Sequence, residues 1–335
     1  ANSGHESRII FELLRHETPL QHVQNARANA PFLIFRQAHA FQFARGARLH
    51  DGAEGKAAVF LDQVDGKPQN MVAVIAGGQV KARYAKCHLP NYGVFDEYRN
   101  FTPGAHSLVI RVCGVDIGIA ICEDIWQSGG PVAELAKRNI GLLLVPNGSP
   151  YEINKDDARL ALVKQRAIEV GAPLAYVNMT GGQDDLVFDG DSIVVSKDGS
   201  VLARTAQFDD QLIVVDIDCT EGSSRPDVVI SEQPTSHATP ASSSIATRLS
   251  NEAEMWQALV MGLRDYVGKN GFRSVVLGLS GGIDSALVAA IAIDALGAKR
   301  VNGVAMPSKY SSGHSVEDAQ ALADATGIHF RITPI

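Results

Sequence analysis

The sequence predicts an α/β protein of two domains joined by a polar segment, and three observations carry that prediction. Short β-rich runs recur from about residue 57 to 216 with helical stretches between them. A stretch rich in Ser, Thr and Pro over 221–250 is poor in side chains large enough to form a core. A second alternation of helices and strands then runs to residue 335. The domains are accordingly set at 1–220 and 251–335, with 221–250 as linker. The 335 residues, 45% of them hydrophobic and 20% charged, suffice for two packed cores.

In chain order, the segment before residue 57 is read last, because it mixes five of the ten histidines with short apolar runs in no clear period. The predicted strands of the first domain are AAVFLD (57–62), NMVAVIAG (70–77), SLVIRVC (107–113), VDIGIAIC (115–122), GLLLVP (141–146), PLAYVN (173–178), DSIVVSK (191–197) and QLIVVDID (211–218). From Lys155, apolar Leu160, Val163, Ala167 and Val170 recur every three or four residues and predict a helix. After the linker, Asn251 with Glu254 three residues on can cap a helix, and Trp256, Leu259, Val260, Leu263 and Val267 form its apolar face. Strand SVVLGLS (274–280), helix 285–296, strand VNGVAMP (301–307), helix 316–326 and strand FRITPI (330–335) follow, a βαβαβ run that forms half of a doubly wound sheet.

Bulk properties remove several classes of function. A formal net charge of −7 supplies no basic field for nucleic acid. The four cysteines have no paired metal-ligand spacing and are too sparse for a disulfide scaffold, so no metal-ligating side chain is assigned and a reducing cytoplasm fits best. The first residues lack a basic stretch followed by an apolar run, and no segment reaches the roughly 18 apolar residues of a membrane span. Neither export nor membrane insertion is expected.

The strongest local signal is Gly278-Leu279-Ser280-Gly281-Gly282-Ile283-Asp284-Ser285, placed where an apolar strand turns into an apolar helix. Glycines let backbone amides approach an anion, Ser280 and Ser285 offer hydroxyls, and the new helix presents unpaired N–H groups at its positive end. No Gly-Lys-Ser/Thr follows, so this is not a Walker loop, and it does not fit GxGxxG. The competing reading is a Ser/Gly turn that only joins strand to helix. The spelling resembles the SGGxDS loop of the ATP-pyrophosphatases, which include NAD, GMP and asparagine synthetases.

The second signal is Cys122 at the end of strand VDIGIAI, followed by Glu123-Asp124-Ile125-Trp126. A lone strand-end cysteine is as readily a small core residue. Upstream stands Lys86-Cys87-His88-Leu89-Pro90-Asn91-Tyr92-Gly93-Val94-Phe95-Asp96-Glu97, and downstream stand Asn147-Gly148-Ser149-Pro150-Tyr151 and Lys155. Together these resemble the glutaminase domain of the glutamine-dependent NAD synthetases, a branch of the nitrilase superfamily with a Glu-Lys-Cys catalytic set. The resemblance covers about 66–218 and resumes over about 253–335.

The resemblance implies a nitrilase-like α-β-β-α sandwich followed by a partial Rossmann-like ATP-pyrophosphatase domain. It implies Cys122 as nucleophile, Lys86 as the cation that stabilises the oxyanion, and a glutamate base for which Glu12, after Ile9-Ile10-Phe11, is the nearest in position. Tyr92, Ser149 and Lys155 would hold glutamine, and Glu97 would be a second acidic group near the lysine. Gly278 to Ser285 would bind ATP, Asp284 would help to place Mg2+, and the strand ending at Met306 would contact adenine. Other readings stay open: Lys155 and Glu97 as solvated charges, Tyr92 as a packing residue, Glu12 as an ordinary helix-starting glutamate. A nitrilase-type glutaminase joined to a pyrophosphate loop implies amidation of deamido-NAD by glutamine-derived ammonia at the expense of ATP, in a cytoplasmic homo-oligomer. Family members continue beyond the position of Ile335, so the isolated chain is not expected to make NAD by itself. The alternatives are a stand-alone nitrilase-like amidase and an inactive fragment that serves assembly.

Overall fold

The computed structural model describes residues 67–211, 213–232 and 244–335 in full and, ahead of them, the backbones of three strands, β1 (Ile10–Leu13), β2 (Phe32–Gln37) and β3 (Lys56–Val64). Contacts divide the chain into two compact units. The first holds Ala1–Ser149, Asn154–Met179 and Gly190–Arg248; the second holds Pro150–Ile153, Thr180–Asp189 and Leu249–Ile335.

In the first unit, β4 (Lys67–Ala76) and β5 (Gln79–Ala85) extend β1, β2 and β3 into a five-stranded sheet, parallel from β1 to β3 and antiparallel thereafter. Gly77 and Gly78, both at positive φ, make the two-residue turn between β4 and β5. Strand β5 was not predicted from the sequence, because QVKARYA alternates small and charged residues around a single buried tyrosine.

A seven-stranded sheet contains β6 (Leu108–Val112), β7 (Val115–Ile119), β8 (Leu142–Asn147), β9 (Leu174–Asn178), β12 (Ile193–Val195), β13 (Val201–Arg204) and β14 (Val228–Val229), in the order β13-β12-β9-β8-β7-β6-β14. Strands β7, β8 and β9 run parallel, and helices α1 (Gly130–Lys137) and α2 (Lys155–Val170) lie between them in sequence. These strands read as unbroken apolar runs because both faces are buried. Leu142 and Leu144 pack with Val72, Val74 and Tyr84 of the five-stranded sheet. Leu143 and Val145 pack on the other side with Val132, Leu135, Val163 and Ala167 of the two helices. Alternation along one strand thus builds both the sheet-on-sheet core and the sheet-on-helix core.

Two sequence expectations change. QLIVVDID is in no strand; its Val215 and Ile217 are buried in the core between the sheets as an irregular extended segment. The 221–250 stretch also differs from a free tether. Val228–Val229 adds to the edge of β6, Asp227 N–H donates to Val109 O at 2.8 Å, and Arg204 exchanges backbone hydrogen bonds with Ser244 and Ala246. Within the same stretch, Arg248 contacts both Asp156 and Asp157 on the first turn of α2. Asp156 also lies beside a buried pair in which the Arg204 guanidinium grips Asp191 bidentately at 2.6 and 2.8 Å.

The second unit holds a three-stranded parallel sheet, β15 (Val275–Gly278), β16 (Val301–Ala305) and β17 (His329–Ile332), with helices α3 (Asn251–Lys269), α4 (Ile283–Leu296) and α5 (Gly313–Thr326). Its core is built largely of small residues, including Ala289, Ala292, Ala319 and Ala323 with Leu279, Val301 and Ile328. The N-cap of α3 is Ser250 rather than the predicted Asn251, and its side chain accepts from Ala253 N–H. The same unit includes the hairpin of β10 (Thr180–Gln183) and β11 (Leu186–Asp189), where Gly182 N–H donates to Asp265 of α3 at 2.7 Å. Among the described residues no helix is long and apolar enough to cross a membrane.

Gly104 N–H donates to Lys86 O at 2.8 Å, and a Cβ built on Gly104 lies 2.2 Å from the backbone oxygen of Ala85. A side chain there must displace main chain. Gly104→Ala is expected to destabilise the protein by about 1–3 kcal/mol, read as a lower denaturant midpoint at unchanged slope.

Candidate active site

Strand β7 leads directly into Cys122, the first residue of a 3-10 turn, Cys122–Ile125. The turn is closed at both ends: Asp124 N–H donates to Ile121 O at 3.0 Å, and Ile121 N–H donates to the Asp124 carboxylate at 2.9 Å. Cys122 has φ of 43°, a left-handed conformation that costs a non-glycine residue about 1–2 kcal/mol and clusters at functional sites. The strand-end cysteine is therefore not held only by apolar packing.

Lys86 follows β5 and is only 2% exposed. Its ammonium donates to both carboxylate oxygens of Glu97 at 2.8 Å. Glu97 opens a one-turn helix, Glu97–Asn100, whose first N–H is held by Pro90 O at 3.1 Å. Glu97 is thus a half-buried counter-ion rather than a solvated charge, as a lysine removed from water requires. Burial pushes the Cys122 thiol up from its ordinary range; the Lys86 ammonium opposes that rise, and the carboxylates of Glu97, Glu123 and Asp124 add to it.

Tyr92 is exposed over its ring, but its hydroxyl donates to Glu123 at 2.8 Å, and Gln127 donates to the other Glu123 oxygen at 2.7 Å. The sequence argument assigned Glu123 no role; its signal was a carboxylate directly after a strand-end cysteine. Loop residues Asn91 to Asp96, with Arg99, line an open cleft of about 530 Å³. Ser149 follows β8 and is buried, with its N–H donating to Asn178 Oδ1 at 2.9 Å and its carbonyl accepting from Asn178 Nδ2 at 3.3 Å. Asn178, at the end of β9, was not singled out from the sequence. Lys155 is the first residue of α2 and is half-buried.

Cys122, Ser149 and Asn178 therefore all stand at the carboxyl ends of the parallel strands β7, β8 and β9. That edge is where open α/β sheets place ligands. Glu12 lies on β1, paired with Ile34, and its side chain is outside the described residues. The thiols of Cys87, Cys113, Cys122 and Cys219 are all free.

In the second unit the loop after β15 is drawn tight by its own hydroxyls. Ser285 Oγ accepts from Ser280 N–H at 3.2 Å and donates to Gly282 O at 2.9 Å, while Gly282 N–H donates to Ser280 Oγ at 3.2 Å. Gly281 has φ of +76°, and a Cβ there would lie 2.3 Å from Ser315 O, so only glycine fits between the loop and α5. Gly282 caps α4 without a side chain, and Ile283 and Asp284 are exposed in its first turn. The Met306 methyl lies 3.5 Å from the position of a Gly278 Cβ, so the residue predicted to contact adenine lies beside the first residue of the predicted phosphate loop. Leu279 behaves otherwise: its side chain is buried in the core and its N–H donates to Val304 O at 2.9 Å, so it anchors the loop from beneath.

Residues 58–225 match the carbon-nitrogen hydrolase family and residues 255–335 match the NAD synthase family. The chain is 41% identical over 297 residues to the glutamine-dependent NAD(+) synthetase of Thermotoga maritima, covering 82% of this chain and 51% of that protein. It is 45% identical over 261 residues to that of Xanthomonas campestris pv. campestris, covering 77% and 45%. The chain spans about half the length of the curated relatives it matches. Among solved structures it resembles a glutamine-dependent NAD+ synthetase from Acinetobacter baumannii in complex with ADP, with TM-score 0.80 and 33% identity over 98% of this chain and 65% of that one. An amidase of the nitrilase superfamily from Nesterenkonia, at TM-score 0.51 and 22% identity over 64% of this chain and 92% of that one, shares the fold of the first unit. With the sandwich, the strand-end cysteine and its buried lysine in place, the chain belongs to the carbon-nitrogen hydrolase family and continues into a segment of the NAD synthase family, as a relative of the glutamine-dependent NAD synthetases.

Proposed function

We propose that the chain serves glutamine-dependent NAD synthesis, with the first unit releasing ammonia from glutamine and the second holding ATP for the amidation of deamido-NAD. The observation that carries the reading is the buried Lys86 ammonium, locked by Glu97, as the cation among the described residues that acts on the thiol of Cys122, whose backbone is held at positive φ. In this reading the Cys122 thiolate attacks the carboxamide carbon of glutamine. Lys86 and a backbone N–H stabilise the oxyanion, ammonia leaves, and water cleaves the thioester to glutamate. Glu97 holds the Lys86 side chain in place through both carboxylate oxygens. Glu12 is assigned as the base on its sequence position alone. Tyr92, Ser149 and Lys155 are assigned to the bound glutamine, the first two supported by their anchoring on Glu123 and Asn178.

For the second unit, the loop from Gly278 to Ser285 is assigned to the ATP phosphates. Support comes from the glycine that tolerates no Cβ and the uncapped start of α4, which leaves N–H donors for an anion. Mg2+ would screen the phosphates, with the exposed Asp284 as the carboxylate at hand. Four free thiols fit a reducing cytoplasm, and assembly of several copies completes the reading.

Glutamate release from glutamine is expected from the purified protein and should vanish in Cys122→Ala; no release from the native chain sinks the glutaminase reading. Lys86→Met removes the group that, among the described residues, lowers the Cys122 thiol, so its titration should move further up. Alkylation of Cys122 at pH 8 should then slow, and glutamate release should fall about 10²-fold or more. ATP with magnesium should raise the melting temperature, by the equivalent of about 2.7 kcal/mol at a hundredfold excess over Kd. Gly281→Ala should abolish that shift, and a native chain indifferent to ATP contradicts the assignment of the loop.

A further inference from the structure

The Asp124 side chain is fully buried and accepts four hydrogen bonds, as many as a carboxylate has lone-pair directions to offer. Oδ1 accepts from the backbone N–H groups of Cys87 at 3.0 Å and His88 at 2.9 Å. Oδ2 accepts from Ile121 N–H at 2.9 Å and from the Tyr84 hydroxyl at 2.7 Å. The first pair of donors immediately follows Lys86 in the chain. Of the second pair, Ile121 immediately precedes Cys122, and Tyr84 lies two residues before Lys86 on β5. One carboxylate thus ties the end of a strand in the five-stranded sheet to the elbow after β7 in the seven-stranded sheet. Its four bonds go to the residues on either side of Lys86 and to the residue before Cys122, and none goes to the lysine or the thiol.

We propose that Asp124 is a positioning residue, which fixes the Lys86 ammonium against the Cys122 thiol by clamping the two main-chain segments that carry them. It deepens the reading of Cys122 and Lys86 as an amide-hydrolysing pair and rests on that reading for its consequence in turnover. Two causes of a change at Cys122 are separable by sign. The Asp124 carboxylate, as a nearby negative charge, raises the thiol, whereas Lys86 lowers it; Glu97 and Glu123 also raise it. If Asp124 acted only through its charge, neutralising it would make the thiol more acidic. If it acts as a clamp, loosening it withdraws the ammonium and makes the thiol less acidic.

The test is Asp124→Asn, with Tyr84→Phe beside it. An asparagine amide cannot accept on its nitrogen side, so one of the two tethers is lost. Tyr84→Phe removes one of the four bonds to Asp124, along with the 3.6 Å contact of the same hydroxyl with Cys87 Sγ, and leaves the charge in place. The rate of alkylation of Cys122 by iodoacetamide, followed by mass spectrometry across pH, reports the thiol without requiring turnover, and glutamate release reports kcat and KM. For Asp124→Asn the alkylation profile is expected to shift to higher pH, with kcat lowered about 10²-fold and KM changed far less. Tyr84→Phe should shift the profile the same way by less, and it decides the matter should Asp124→Asn fail to fold. A profile that moves to lower pH in Asp124→Asn, or profiles and kcat at the native values in both variants, overturns the proposal. A native protein that releases no glutamate but shows the expected alkylation shifts retains the clamp and loses the glutaminase reading.

Discussion

A lysine ammonium buried between two β-sheets is the constraint on which the first unit depends. With 2% of its surface exposed, Lys86 needs a counter-charge and hydrogen-bond acceptors at close range, and Glu97 supplies both oxygens at 2.8 Å. Removing one partner of such a pair costs about 3–5 kcal/mol, because the other is left charged and unpaired. The chain from Cys87 to Asn100 is accordingly folded back so that Glu97 returns to Lys86. The same excursion delivers the Tyr92 hydroxyl to Glu123. A demand of electrostatics thus shapes a loop that has little apolar packing of its own: Tyr92, Val94 and Tyr98 are largely exposed.

The thiol sits at the point where opposing influences meet. Burial and three carboxylates disfavour the thiolate, and a single ammonium favours it. Small displacements of Lys86 therefore carry large consequences for Cys122, which gives physical meaning to the rigidity around both. The 3-10 turn that holds its cysteine at positive φ is braced by two hydrogen bonds between Ile121 and Asp124. Strand ends β7, β8 and β9 present Cys122, Ser149 and Asn178 from one edge of a sheet whose two faces are both packed, so none of the three can shift without disturbing a core.

In the second unit a different constraint, backbone crowding, sets the loop. The α5 main chain at Ser315 lies where a Gly281 side chain would be, and Ser280 and Ser285 close the turn through their hydroxyls. The result is a tight loop opening an uncapped helix. Leu279 is buried beneath it and anchors the loop, whereas Ile283 stands exposed at the start of α4.

The sequence by itself determined what periodicity and motif spelling can encode. It established the alternating α/β architecture, the helix from Lys155 and the glycine loop between strand and helix, and its resemblance to a family singled out Cys122, Lys86, Tyr92 and Ser149 as residues to watch. Local chemistry suffices for the architecture, the helix and the loop, because each rests on neighbours within a few positions, whereas the site residues came from the resemblance. Only the tertiary structure decided the rest. β5 escaped because its alternation is small against charged, and QLIVVDID misled because buried apolar residues such as Val215 and Ile217 look the same in sequence whether or not they belong to a strand. The 221–250 stretch looked like a tether because it is polar, yet it gains order from a sheet edge more than a hundred residues away at β6. Asp124 was one acidic residue among 37 Asp and Glu until the fold brought Tyr84, Cys87, His88 and Ile121 around it. A buried carboxylate takes its meaning from the donors that surround it, and donors separated by up to 37 positions in sequence are assembled only when the two sheets meet.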